Sequence, residues 1–222
     1  MKIGEEKKPI VMIFAIVVIV ISLFSIMKTG RGSRPKVDMD RFESLGQFAA
    51  EETVNFLGAG KQVVIISMEA GDAKALKRQQ KAYIETLEKG DVTVAAVEAV
   101  GTDPGEMPMM MMEMGLMTIS DYNAIVEKHS EVDAFISLVG MPMQQMDAPN
   151  RLSESAPPLI IAQSMGMMMG VADYLRAGTV TMAIMPRIDV SVEEEEPKTH
   201  REWFDRYFQV VTAEDADSIP YY

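Results

Sequence analysis

Along residues 38–190, short apolar runs alternate with longer segments in which apolar residues recur at helical spacing. Five apolar runs are predicted to be β-strands: Gln62–Ser67, Val92–Val97, Ala134–Val139, Leu159–Gln163 and Thr179–Met185. Four of the longer segments are predicted to be α-helices: Asp38–Leu57, Asp72–Lys89, Thr118–His129 and Gly170–Ala177. Strands that alternate with helices indicate right-handed crossovers and a mainly parallel sheet. We therefore predict an α/β fold, a three-layer sandwich with about five strands, over residues 38–190.

A long apolar segment precedes the alternating region. Residues 10–27 read IVMIFAIVVIVISLFSIM, and 18 residues at about 1.5 Å each span roughly 27 Å, close to the thickness of a bilayer core. A signal peptide usually has a shorter apolar stretch that ends in a small-x-small cleavage site, and the exit from Leu23 to Lys28 contains no such site. We predict a transmembrane anchor over residues 10–27, after a tail of residues 1–9 and before a linker of residues 28–37.

The orientation of this anchor depends on the basic residues that flank it. Three lysines precede it, and four basic residues follow it: Lys28, Arg31, Arg34 and Lys36. This count slightly favours a cytoplasmic domain, whereas a short tail before a hydrophobic span is typical of an anchor with its N-terminus inside. We predict an extracytoplasmic domain, with the opposite orientation as the open alternative.

The C-terminal residues 191–222 differ in character from the alternating region. Val192–Pro197 reads VEEEEP and is predicted to be a solvated acidic loop. Trp203–Thr212 is rich in aromatic residues and is predicted to include an edge strand or a packing arm. We therefore separate these residues from the α/β domain as an acidic loop and an aromatic arm.

Charge and cysteine content exclude some classes of function. The whole chain has a formal net charge of −12, but residues 37–222 hold fourteen basic and thirty-one acidic residues, a net of −17. Nucleic acid is not a predicted partner, because affinity for phosphates requires basic patches. The absence of cysteine excludes a disulfide, a thiolate metal site and a cysteine nucleophile.

Methionines are concentrated after the predicted strands. Sixteen of the twenty-one lie between Met107 and Met185, in the bursts EMPMMMMEMGLM, GMPMQQM, SMGMMMG and MAIMP. In a parallel sheet these bursts meet at the carboxyl edge, where open α/β sheets bind ligands. We predict that this edge is a ligand or partner surface, formed by Met107, Met109, Met112, Met114, Met141, Met143, Met146, Met165, Met167 and Met185, together with Ser67 and Asp72.

Methionine supports three interpretations of this surface. Flexible thioethers make plastic contacts with partners or fill gaps in a core, and soft sulfur ligands also select Cu(I). Met107, Met109, Met112 and Met114 are the weak candidates for a Cu(I) site. No catalytic constellation is found, since neither a Gly-x-Ser-x-Gly elbow nor a His-Glu-x-x-His motif is present. We therefore predict a protein that is not an enzyme and has no cofactor.

One segment carries a family resemblance. Glu131–Gly140 reads EVDAFISLVG and resembles the pattern of Asp-Ala, an apolar strand and glycine in type I periplasmic sugar-binding proteins. That family has two lobes with the ligand between them, whereas this chain has room for one lobe. The resemblance implies that a closed cleft is missing or is formed by oligomerisation.

These observations predict a membrane-anchored binding or protein-interaction module, an accessory subunit of a membrane complex with a protein partner. Two alternatives remain open. One is a small-solute receptor lobe like those of periplasmic binding proteins, and the other is a Cu(I)-binding protein.

Overall fold

The computed structural model describes residues 39–68, 74–100, 117–142, 152, 156–162, 170–187, 190 and 197–219. Within these ranges, no helix is both long enough and apolar enough to cross a bilayer. The predicted anchor of residues 10–27 lies outside the described residues, as do the tail and the linker. The compact unit begins at Met39.

The described elements alternate as the sequence pattern predicts. The helices are α1 (Met39–Leu57), α2 (Lys74–Lys89), α3 (Ile119–Lys128), α4 (Val171–Arg176) and α5 (His200–Tyr207). The strands are β1 (Lys61–Met68), β2 (Val92–Val100), β3 (Ala134–Ser137), β4 (Leu159–Ile161), β5 (Val180–Pro186) and β6 (Phe208–Thr212). A short 3₁₀ turn, Ala213–Asp215, follows β6.

The six strands form one sheet in the order β2-β1-β3-β4-β5-β6. The first five are parallel, and β6 pairs antiparallel with β5. The predicted α/β fold with a mainly parallel sheet is therefore confirmed, with six strands rather than five. The sixth strand comes from the aromatic segment Trp203–Thr212, so the sheet continues beyond residue 190.

Helices cover both faces of the sheet, which gives the predicted three layers. Alternate residues of β1 face opposite sides: Val64 and Ile66 belong to one core cluster, and Val63 and Ile65 to the other. The first cluster, which we call the α3 face, includes side chains of α3 and α4. The second, which we call the α1 face, includes side chains of α1, α2 and α5. Burial on both faces explains why β1 is a continuous apolar run.

Helix α5 was not predicted from the sequence, because it runs directly into strand β6. Thr199 caps its first turn by accepting a hydrogen bond from the backbone N–H of Glu202 at 3.1 Å. Its Phe204 packs on Phe48 of α1, with ring centroids 5.7 Å apart. Arg201 extends this contact, because its guanidinium lies over both rings and donates to Glu52 at 2.7 Å. The C-terminal arm is thus fixed to the α1 face.

Candidate functional site

The strand order places a topological switch point between β1 and β3. The chain leaves β1 towards α2 on the α1 face. Beyond β3, Val139, Met141 and Leu152 are buried on the α3 face. The two connections therefore diverge at the carboxyl edge, and a crevice at such a point is where open α/β sheets bind ligands. We call the described residues at this point, Ser67–Met68 and Ser137–Pro142, the switch-point edge.

A tight turn ends β3 at the switch-point edge. The wholly buried Ser137 donates its hydroxyl hydrogen to the carbonyl oxygen of Gly140 at 2.6 Å and accepts from the backbone N–H of Val139 at 3.3 Å. Gly140 has a φ of 94°, a conformation that residues with a Cβ rarely adopt. This serine and this glycine together direct the chain away from β1. Gly140 belongs to the family pattern of Glu131–Gly140, whereas no local sequence signal indicated the role of Ser137.

Ser67 lies at the matching end of β1, as predicted. Its side chain is buried, and Gln80 of α2 donates to its hydroxyl at 3.4 Å. The next residue, Met68, is half-buried and packs against the cluster of the α3 face. The switch-point edge thus combines serine hydroxyls with apolar side chains, and none of its residues is charged.

The structure places two of the predicted surface methionines in the core. Met141 is 8% exposed and Met185 is 3% exposed, and both belong to the cluster of the α3 face. The burst MAIMP lies within β5, where successive side chains face opposite sides of the sheet. Met182, in the same burst as Met185, is therefore buried on the opposite face, the α1 face. The expectation of a surface position was wrong for Met141 and Met185. An unbranched thioether fills a gap in the packing there.

The remaining predicted site residues lie outside the described residues: Met107, Met109, Met112, Met114, Met143, Met146, Met165, Met167 and Asp72. Their role as a ligand or partner surface stays a prediction. Within the described ranges, no group of three or more histidines or acidic residues is placed to hold a metal ion. The four candidate thioethers for Cu(I) are among the methionines that are not described.

Both histidines have structural partners. His129 follows α3 and lies 2.6 Å from the carboxylate of Glu98, which also accepts from Lys128 at 2.7 Å. The hydrogen bond from Lys128 is the largest cause that lowers the pKa of Glu98, and the bond with His129 is the second. Together they hold this pKa below its ordinary value. The cluster links α3 to β2.

The pair formed by His200 and Ser44 has the residue types of a nucleophile and a base. Their Nδ1 and Oγ atoms are 2.7 Å apart. The hydroxyl of Ser44, however, donates its one hydrogen to the carbonyl oxygen of Asp40 at 2.7 Å. A nucleophilic serine must instead give that hydrogen to the base. The pair therefore joins α5 to α1 and is not arranged for catalysis.

A groove of about 380 Å³ lies between α1 and α2, away from the switch-point edge. Three glutamates line it, and each already has a partner within the chain. Glu43 binds Arg78 at 2.5 Å, Glu51 lies 3.5 Å from Arg201, and Glu85 lies 3.6 Å from Lys81. The acidic lining of this groove is thus neutralised by the protein itself, and the switch-point edge remains the candidate site.

Comparison with known proteins bears on the fold. No family model matches the chain, and no curated protein matches it. Among solved structures, it is similar to a periplasmic ribose ABC transporter protein from Conexibacter woesei, with a TM-score of 0.47 and 14% identity, over 80% of this chain and 59% of that chain. It is also similar to AraP, an arabinose-binding protein from Geobacillus stearothermophilus, with a TM-score of 0.49 and 13% identity, over 81% of this chain and 63% of that chain.

A third similar structure is GanP, a glucose-galactose binding protein from Geobacillus stearothermophilus, with a TM-score of 0.46, 14% identity and coverage of 78% of this chain and 61% of that chain. The chain spans about three fifths of the length of these proteins. The first is described as a periplasmic ribose transporter protein, and the other two are described as sugar-binding proteins. The resemblance of Glu131–Gly140 and these structural similarities thus point to the same class of protein.

Proposed function

We propose that the protein is a receptor lobe that binds a small, uncharged solute at the switch-point edge. One observation carries this proposal: the described residues that follow β1 and β3 pack on opposite faces of the sheet. In open α/β sheets, such a switch point is where a ligand-binding crevice forms. None of the described residues at this point is charged, which suits an uncharged solute. This proposal takes up the alternative of a solute receptor, whereas a methionine-rich partner surface stays a prediction.

A single lobe leaves one side of a bound solute open. Small-molecule sites bury most of the surface of their ligand, so a second wall is required for tight binding. We propose that this wall comes from outside the described residues, which form one α/β sheet. The domain would act outside the cytoplasm, held at the membrane by residues 10–27.

Thermal unfolding of the purified chain tests the solute proposal. We expect the neutral sugars ribose, arabinose, glucose and galactose to include at least one that raises the melting temperature, because a ligand that binds only the folded state stabilises it. These sugars are chosen because the similar structures are named for them. Charged amino acids serve as the comparison panel and should leave the melting temperature unchanged.

A matched pair of variants locates the binding site. Met68→Trp should abolish the increase by blocking the proposed site. Leu57→Trp changes another half-buried residue, at the end of α1, and should preserve the increase. Isothermal titration with the active sugar gives the affinities of both variants. The proposal fails if no neutral sugar has an effect, or if both variants lose binding equally.

A further inference from the structure

Strand β2 is an outer edge of the sheet that the described residues form. It is the terminal strand in the sheet order, and no described strand pairs with its outer side. Its nine residues, VTVAAVEAV, contain one charged side chain and neither proline nor glycine. Natural edge strands usually carry lysine, proline or inward-facing charge, which prevents pairing with other chains. The other edge strand, β6, has only five residues.

The exposure of β2 adds an apolar surface to this open edge. Val97 is 44% exposed, and Thr93, Ala95 and Ala99 are exposed as well. The register shifts at Val94, so Ala95 is an extra residue and regular pairing with β1 resumes from Ala96 to Val100. The one charged residue, Glu98, is already neutralised by Lys128 and His129. The edge is therefore apolar, and its one charged side chain is already paired within the chain.

Helix α2 lies beside this edge and has opposite charges in its two halves. Its N-terminal half exposes Lys77 and Lys81, and its C-terminal half exposes Glu85 and Glu88. The side chain of Lys81 is 74% exposed and that of Glu85 is 51% exposed. Ile84 is half-buried between them and packs in the cluster that includes Val92 and Val94. This flank of α2 forms a shallow pocket of about 370 Å³ with mostly apolar walls.

We propose that the β2 edge binds a second copy of this chain, so that two sheets join through antiparallel β2 strands about a two-fold axis. Such an interface is self-complementary, because the same patch is used on both copies. Pairing centred on Val97 sets Ala96 opposite Glu98 of the second copy, within the regular part of the strand. It also avoids setting Glu98 opposite its own counterpart, where like charges would repel.

The two-fold axis also brings the α2 helices together in a favourable way. Helix α2 contacts β2, so two such helices above joined β2 strands lie about two strand spacings apart, about 10 Å, which is the distance between packed helices. They run antiparallel, and the basic half of one therefore meets the acidic half of the other. Lys77 and Lys81 thus face the carboxylates of Glu85 and Glu88 of the second copy. This complementarity favours a second copy over an unrelated extended peptide.

Analytical ultracentrifugation of the full chain, in one detergent throughout, tests the proposal. We expect a monomer–dimer equilibrium that favours the dimer at about 100 µM protein. Val97→Lys should raise the dimer dissociation constant at least about tenfold, because it places a desolvated charge at the strand edge. Phe56→Lys is the matched control, since Phe56 is also 44% exposed but lies on α1. It should change the constant by less than about twofold.

A charge-exchange experiment tests whether the α2 helices of the two copies run antiparallel, and it does not rely on a single variant. Lys77→Glu with Lys81→Glu makes the α2 flank wholly acidic, and Glu85→Lys with Glu88→Lys makes it wholly basic. Each double variant should dimerise about tenfold more weakly than the wild type, and an equimolar mixture should recover a heterodimer. A monomeric wild type, equal effects of Val97→Lys and Phe56→Lys, or a mixture without heterodimer would each overturn the proposal. Association through residues 10–27 alone would leave Val97→Lys without effect.

Discussion

At the scale of single residues, one buried hydrogen bond joins α1 to α2. Thr53 and Tyr83 are almost wholly buried, and their hydroxyl oxygens are 2.6 Å apart. Thr53 donates its hydrogen to the carbonyl oxygen of Ala49 at 2.9 Å, so Tyr83 must be the donor to Thr53. Burial raises the pKa of Tyr83 well above its ordinary value, an effect that the bond to Thr53 only partly offsets. Tyr83 therefore stays a neutral donor.

This direction of donation predicts unequal effects of two variants. Tyr83→Phe removes the donor and should lower the free energy of unfolding by about 1 kcal/mol. Thr53→Val should cost more, about 1–3 kcal/mol, because it leaves the buried tyrosine hydroxyl without an acceptor. The double variant should cost less than the sum of the two. Urea unfolding measures all three, and a larger cost for Tyr83→Phe than for Thr53→Val would reverse the assigned donor.

Residue-scale expectations from the sequence were right where local spacing decides the outcome. The helix predicted to end at His129 ends one residue earlier, at Lys128, and Ser67 is the second-last residue of β1. Met141 and Met185 were assigned to a surface because of their abundance in bursts. Abundance does not say which way a side chain faces, and that depends on the neighbours that pack around it.

At the scale of elements, helices α1 and α2 cross closely at Gly46. A Cβ at this position would collide with the backbone carbonyl oxygen of Gln79, which cannot move independently of α2. Gly46 is buried within α1, and the helix sequence would otherwise favour alanine there. Close approach of two helix backbones explains why glycine occupies a helix interior.

Gly46→Ala therefore tests the packing of these helices. In an exposed helix the same change stabilises by up to about 1 kcal/mol, but here we expect destabilisation of about 1–3 kcal/mol from the forced separation of α1 and α2. Gln47→Ala changes the adjacent exposed position and should be almost neutral. Chemical denaturation compares both with the wild type. A stabilising Gly46→Ala would show that the helices do not cross at this residue.

The elements themselves were largely predictable. The apolar run Gln62–Ser67 became β1, Lys61–Met68, because a strand buried on both faces leaves a continuous apolar signal. Helix α5 was missed because its eight residues merge with the aromatic strand that follows. Its cap at Thr199 was the local signal that could have separated them.

At the scale of the whole molecule, the apolar segment of residues 10–27 and the acidic domain are opposite in character. The domain after residue 36 carries a net charge of −17, which favours solubility. The segment of residues 10–27 has no charged residue and is followed by a basic linker. An anchor would fix the location of the domain without taking part in its fold.

Membrane fractionation tests the anchor. We expect the full chain to stay in the membrane pellet after a carbonate wash. Val18→Arg with Ile19→Arg should release it, because arginine at the centre of a span costs roughly 2.5–3.5 kcal/mol. Thr29→Arg with Ser33→Arg adds the same charge to the linker and should leave the chain membrane-bound. Recovery of the wild type in the soluble fraction would contradict the anchor.

The sequence alone determined the order and type of most elements and the parallel character of the sheet, since apolar periodicity is a local property that each segment carries by itself. Only the tertiary structure decided that β1 lies between β2 and β3, that the described residues after β1 and β3 pack on opposite faces, and that β2 is a terminal strand of the described sheet. It also decided that Met141 and Met185 belong to the core. These features depend on contacts between residues distant in the chain, and no local pattern records which distant segments meet.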